Sequence, residues 1–155
     1  MTEVVIKPHH FFDIIKLYGA GITCFIRDEA YHHDFYRIAN QILAEPRLRL
    51  RLTIHGDDIC IPCKYYSAQG KGVCMDCISH IAGIDSKDEW NKILDHRIIS
   101  MIMPEEETVY TAVEFCQLLY ENRDLIYDIW KEDDGDKTKE RFRLFRVGAE
   151  KYLGI

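Results

Sequence analysis

The stretch "RLRLRLTI", residues 47–54, alternates polar and apolar residues without a break. A period of two places Leu48, Leu50 and Leu52 on one face and Arg47, Arg49 and Arg51 on the other, so the segment is predicted as a strand with one buried side. A strand needs a partner. A short β-like run, "VVIK" at residues 4–7, stands just before Pro8 and is predicted to pair with the alternating strand. Around these two strands the chain reads as helical. Pro8 opens a first helix carrying Phe11, Phe12, Ile15 and Leu17, closed by Gly19 and Gly21. Tyr31, Phe35, Ile38, Ala39 and Ile42 repeat at three- and four-residue steps, predicting a second helix that ends before Pro46.

Further along, Ser86 and Glu89 form a capping-box signature ahead of Trp90, Ile93, Leu94, Ile98 and Met101. Pro104 and Glu105 to Glu107 are expected to open another helix running towards Trp130. "EDDGD" (132–136) reads as a polar turn, and "KTKERFRLFRVGAEKYL" (137–153) as a final amphipathic helix. The expected fold is mostly α with a minimal two-stranded sheet, an α+β arrangement in a single domain over residues 1–155. Residues 1–84 form its metal-binding part and residues 85–155 its helical C-terminal part.

At 155 residues, 47% hydrophobic and 30% charged, the chain is large enough to bury a core without covalent staples. It has no apolar run of the ~20 residues a membrane span needs, and "MTEVVIKPHH" lacks the apolar stretch of a signal peptide. A cytoplasmic protein is expected, with no membrane association. The net charge of −6 argues against general nucleic-acid binding, because phosphate affinity rests on clustered Lys and Arg.

Six cysteines in a reducing compartment are not expected to be disulfides. Four of them, Cys60, Cys63, Cys74 and Cys77, form two Cys-x-x-Cys pairs separated by ten residues, with Gly70 and Gly72 between them to fold the second pair back on the first. Four converging thiolates are the ligand set of tetrahedral zinc or of an iron-sulfur cluster. Composition does not decide between the two. Cys116 follows the apolar period of its helix and is expected in the core, while Cys24, near a glycine turn, is the one spare thiol.

"IKPHHFFDIIKLYGAG", followed about forty residues later by "HGDDICIPCKYY", resembles a prokaryotic family known as domain of unknown function 1284, across roughly residues 4 to 80. The resemblance implies an iron-sulfur protein. In that family's pattern a cysteine usually stands where this chain has Asp13, and the later region has fewer cysteines, so Cys77 takes the place of the missing thiol or the cluster is ligated differently.

Within "PHHFFD", His9 and His10 fall in the first helical turn, with Asp13 three and four residues on, where it is expected to meet an imidazole. The helix N-terminus disfavours imidazolium, which leaves a base or a metal ligand. The alternative role for these histidines is to cap the helix and brace the cysteine loop. His55, beside "GDD", is expected near the same place if the two strands pair. The Arg47, Arg49 and Arg51 row is expected to answer neighbouring acidic helices. His32 and His33 are expected on the wet side of the second helix, and Arg141, Arg143 and Arg146 on a solvated face beside packed Phe142 and Phe145.

Two function classes follow. One is a small metal-binding protein, holding an iron-sulfur cluster or zinc on the four cysteines, acting in electron transfer or as an accessory factor with a redox or metalloprotein partner. The other is a metalloenzyme in which His9, His10 and Asp13 are catalytic beside the metal.

Overall fold

In the computed structural model, which describes residues 3–102 and 109–155, the alternating segment becomes the middle strand of the main sheet. Strand β1 (Glu3–Ile6) leads into helix α1 (Pro8–Gly19), then α2 (Phe35–Ala44), then β2 (Arg49–Leu52). Strand β2 runs parallel to β1, with Val4 opposite Leu50 and Ile6 opposite Leu52. These four side chains are buried on one face, whereas Arg49 and Arg51 stay exposed. The predicted pairing and facing both hold.

The cysteine segment follows as two small hairpins: β3 (Tyr66–Ser67) with β4 (Val73–Cys74), and β5 (Cys77–Ile81) with β6 (Ile84–Ser86). Helix α3 (Lys87–Ile102) starts where the capping signature predicts, with the Glu89 backbone N–H on Ser86 Oγ at 3.2 Å.

The expected helix from Pro104 to Trp130 is corrected over its described part. Pro104 and Glu105 to Glu107 lie outside the described residues. Val109–Thr111 forms β7, antiparallel to β2 on the edge opposite β1, so the sheet has three strands rather than two. Val, Tyr and Thr are strand formers, and Thr111 ends the strand by capping α4 (Ala112–Glu121) in a reciprocal box with Glu114. The helix then stops at Asn122, whose side chain bonds the Leu118 carbonyl. A 3-10 turn (Arg123–Leu125) and the single-turn α5 (Ile126–Ile129) carry the chain to Trp130.

The last helix, α6 (Gly135–Leu153), packs along α1. The contact depends on two glycines. A Cβ on Gly148 would lie 1.9 Å from the Ile15 carbonyl oxygen, and one on Gly19 would lie 1.9 Å from that of Leu144. Gly19 thus ends α1 as predicted and also lets the two backbones touch. Phe12 stacks on Phe145 at 4.4 Å and leans on Trp130, while Phe11 meets Phe115. Helix α1 lies in the core along most of its length, and the buried apolar cluster extends from Val4 to Ala149. Cys116 is fully buried in it, as its period predicts.

Candidate metal centre and histidine cavity

The cysteine loop folds as its glycines require. Gly70 and Gly72 both take positive φ, and Tyr66 pairs with Cys74 across the resulting hairpin. The first Cys-x-x-Cys is a tight turn built on Asp57. Its backbone carbonyl and Oδ1 accept the Cys60 N–H, and the Cys60 carbonyl in turn accepts the Cys63 N–H at 2.8 Å. The second pair is tied to α3 by the Cys74 N–H, which donates to Asp88 at 2.9 Å.

Cys60, Cys63 and Cys74 line one small cavity of about 20 Å³ together with Lys7. Cys77 is exposed at the start of β5 and is not in that lining; Cys24 is exposed on the loop after α1. Among the described residues, no three of the four predicted sulfurs lie within 4.8 Å of one another. Tetrahedral zinc with ~2.3 Å bonds draws its sulfurs to about 3.8 Å apart. The four sulfurs are therefore not gathered as they would be around a zinc ion.

Lys7 gives this pocket its charge. Only 3% exposed, its ammonium lies 3.5 Å from Cys60 Sγ. Burial alone would lower its pKa, but the Cys60 sulfur and the Asp57 and Asp95 carboxylates outweigh burial and hold it above the ordinary lysine value. Burial and the Asp57 carboxylate push the Cys60 thiol up, with Lys7 opposing. A bound metal would reverse that balance, since coordination deprotonates a thiol outright.

His9 and His10 find carboxylates, though not the expected one. His9 Nδ1 meets Asp95 of α3 at 2.8 Å to Oδ2, and the His9 backbone N–H donates to Oδ1 of the same residue. His10 Nδ1 meets Asp57 Oδ2 at 2.8 Å. Asp13 instead pairs with Lys16 at 3.5 Å. The expectation that imidazolium is disfavoured is met at one ring only, and there through burial rather than through the helix end. Burial lowers the His10 pKa, whereas Asp95 overrides burial at His9 and raises it.

Asp57 is the junction of the site. Fully buried, it accepts from the Lys7 N–H at 2.7 Å, from His10 and from the Cys60 N–H. Burial would raise its pKa, but His10 and Lys7 hold it well below the carboxylate range. His10, Asp57 and Cys60 are the one trio among the described residues whose donor atoms all lie within 4.8 Å of one another. Both Asp57 oxygens are already engaged, so the trio reads as a hydrogen-bonded post between α1 and the cysteine loop rather than as a ready cage.

On the other side of that post lies a larger cavity of about 360 Å³. His9, His10, His33 and His80 line it, with Asp13 in the same wall and Trp90 and Trp130 among its apolar surfaces. His33 is a correction: it sits in the turn before α2, not on the helix, and its Nδ1 is buried without a hydrogen-bond partner. His32 is exposed with φ of 60° in the same turn. Neither His33 nor His80 drew attention as a site residue in the sequence, because nothing local to them signals a shared cavity. His55 stands after β2, its N–H on Thr53 Oγ1, and lines neither cavity.

The arginine row is partly explained: Arg51 pairs with Glu3 of β1, not with a helix. On α6, Arg141 pairs with Asp133 and Arg143 with Glu140, while Phe145 is buried and Phe142 packs on Tyr127. No described helix is long and apolar enough to cross a membrane. Comparisons with models of protein families, with curated proteins and with solved structures found no match.

Proposed function

We propose that this chain is a small cytoplasmic iron-sulfur protein whose Cys60, Cys63, Cys74 and Cys77 hold the cluster, acting in electron transfer or as an accessory factor to a redox partner. The observation that carries this reading is the buried Lys7 ammonium against Cys60 Sγ. A cation out of water calls for negative charge beside it, and metal-bound thiolates would supply that charge. The paired Cys-x-x-Cys motif and the resemblance to domain of unknown function 1284 support the same reading. Cys77 enters as the fourth ligand by its motif.

A second reading is favoured by the contact of His10 with Asp57 and of Asp57 with Cys60, which sets the thiols against a histidine-lined cavity. In that reading the protein is a metalloenzyme.

The test of the first reading is anaerobic purification with metal and acid-labile sulfide analysis. Brown protein containing iron and sulfide is expected. A colourless preparation with one zinc per chain would replace the cluster with a structural zinc ion.

A further inference from the structure

The two imidazoles in the wall of the larger cavity are oriented alike. Each gives its Nδ1 to a fully buried carboxylate, His9 to Asp95 and His10 to Asp57. An ionised carboxylate can only accept, so each Nδ1 carries a proton, which in the neutral ring leaves the lone pair on Nε2. The rings stand 4.3 Å apart, centroid to centroid. Among the described residues, neither Nε2 has a side-chain partner. Two imidazoles fixed this way, side by side, form the arrangement in which metal-ligating histidines are held by carboxylates behind them.

Two further observations bear on what fills the space. The Nδ1 of His33, on the same cavity wall, is buried and has no partner, which is costly for a polar atom unless something in the cavity meets it. The lining contains no serine, threonine or cysteine, so it offers no hydroxyl or thiol nucleophile for covalent catalysis.

We propose that this cavity is a metal site distinct from the cysteine loop, taking a divalent transition-metal ion on His9 Nε2 and His10 Nε2, with His33 in the same wall facing the ion's other ligands. Imidazole suits zinc, iron, cobalt and nickel. Among the described residues, no group of three His, Cys, Asp or Glu donors within 4.8 Å includes both histidines, so water or a small ligand completes the coordination and the site stays open. Trp90 and Trp130 give such a ligand apolar surface to lie on. The site does not depend on what the cysteines hold.

The test is anaerobic titration of the purified, cluster-loaded chain with Co²⁺, read by absorption and X-ray absorption spectroscopy. One Co²⁺ per chain is expected, with nitrogen and oxygen neighbours and no thiolate-to-cobalt charge-transfer band. If the thiols lack metal they will also take Co²⁺, but with that band, so the two sites are counted separately. His9→Ala with His10→Ala should abolish the nitrogen-bound Co²⁺; iron and sulfide are measured beside it, because His10 also holds Asp57 and through it the Cys60 turn. Asp95→Asn should weaken it by about 10- to 100-fold. Should these variants fail to fold, imidazole ¹⁵N resonances of the native chain titrated with Zn²⁺ give the same answer, through selective shifts of the Nε2 signals of His9 and His10. The absence of nitrogen-bound Co²⁺ in the native chain, or its persistence in the folded double variant, would overturn the proposal.

Discussion

His10 Nδ1 lies 2.8 Å from Asp57 Oδ2, and through this bond the first turn of α1 is fastened to the turn that carries Cys60. The same carboxylate takes the Lys7 N–H, so three donors depend on one buried anion. Asp57→Asn keeps the shape, but its single carbonyl oxygen cannot serve all three donors, and its amide group turns another donor towards them. The expected loss is about 3 kcal/mol of unfolding free energy, as for a buried pair broken by removing one partner. Urea denaturation of the two proteins measures it. A loss well under 1 kcal/mol would mean that the loop is held elsewhere.

The packing of α1 on α6 sets up a second prediction. Gly148→Ala places a methyl carbon 1.9 Å from the Ile15 carbonyl oxygen, a backbone atom that cannot swing aside. The helices must separate, with an expected penalty of at least about 2 kcal/mol from overpacking alone. Gly135→Ala, in the first turn of the same helix, meets nothing within 4 Å and should be neutral or slightly stabilising. Thermal melts of the two variants should diverge. Equal melting temperatures would refute the close-contact role.

These two positions mark how far the sequence alone could be read. The Arg-Leu alternation, the Pro8 start of α1 and the positive-φ glycines of the cysteine loop were legible because each is a local rule, satisfied within a few residues. The partners of His9 and His10 were not legible. Asp13 was expected from helical spacing, but such pairs stabilise by only ~0.2–0.5 kcal/mol and yield readily to tertiary contacts. Asp57 and Asp95 reach the imidazoles from 47 and 86 residues away, and nothing near either in the chain announces it. Strand β7 was missed for another reason: Thr111 and Glu114 carry a capping signature that would have moved the start of α4 past the acidic run.

Acid should weaken the region around Trp130 through Asp133. Burial pushes this carboxyl up, but the Asp134 N–H and the Arg141 guanidinium, 2.9 Å away, outweigh burial and hold its pKa below the ordinary value. The folded pKa is thus lower than the unfolded one, so the pair stabilises the fold above about pH 4 and loses that contribution as pH falls towards the folded value. Asp133→Asn should cost roughly 1 kcal/mol at pH 7 and progressively less below pH 4. Denaturant midpoints across pH 3 to 7 check the sign. A penalty that grows on acidification would contradict it.

Lys7 provides the prediction most closely tied to the cysteines. Reducing a metal-thiolate group adds an electron, and a buried ammonium 3.5 Å from Cys60 Sγ favours the more negative state. Lys7→Met keeps the stem that fills the interior and deletes the charge. With a cluster on the cysteines as proposed, its reduction potential should therefore fall, on the order of 100 mV for a unit charge at this range in a partly screened interior. Lys7→Arg, which restores the cation if it fits, should recover much of the shift. A redox titration followed by visible absorption reads all three proteins, with iron and sulfide content measured beside each to separate a change in potential from loss of the cluster. A Lys7→Met protein with full iron content and an unchanged potential would show that the ammonium does not face the cluster, and would remove the main physical support for placing it at Cys60.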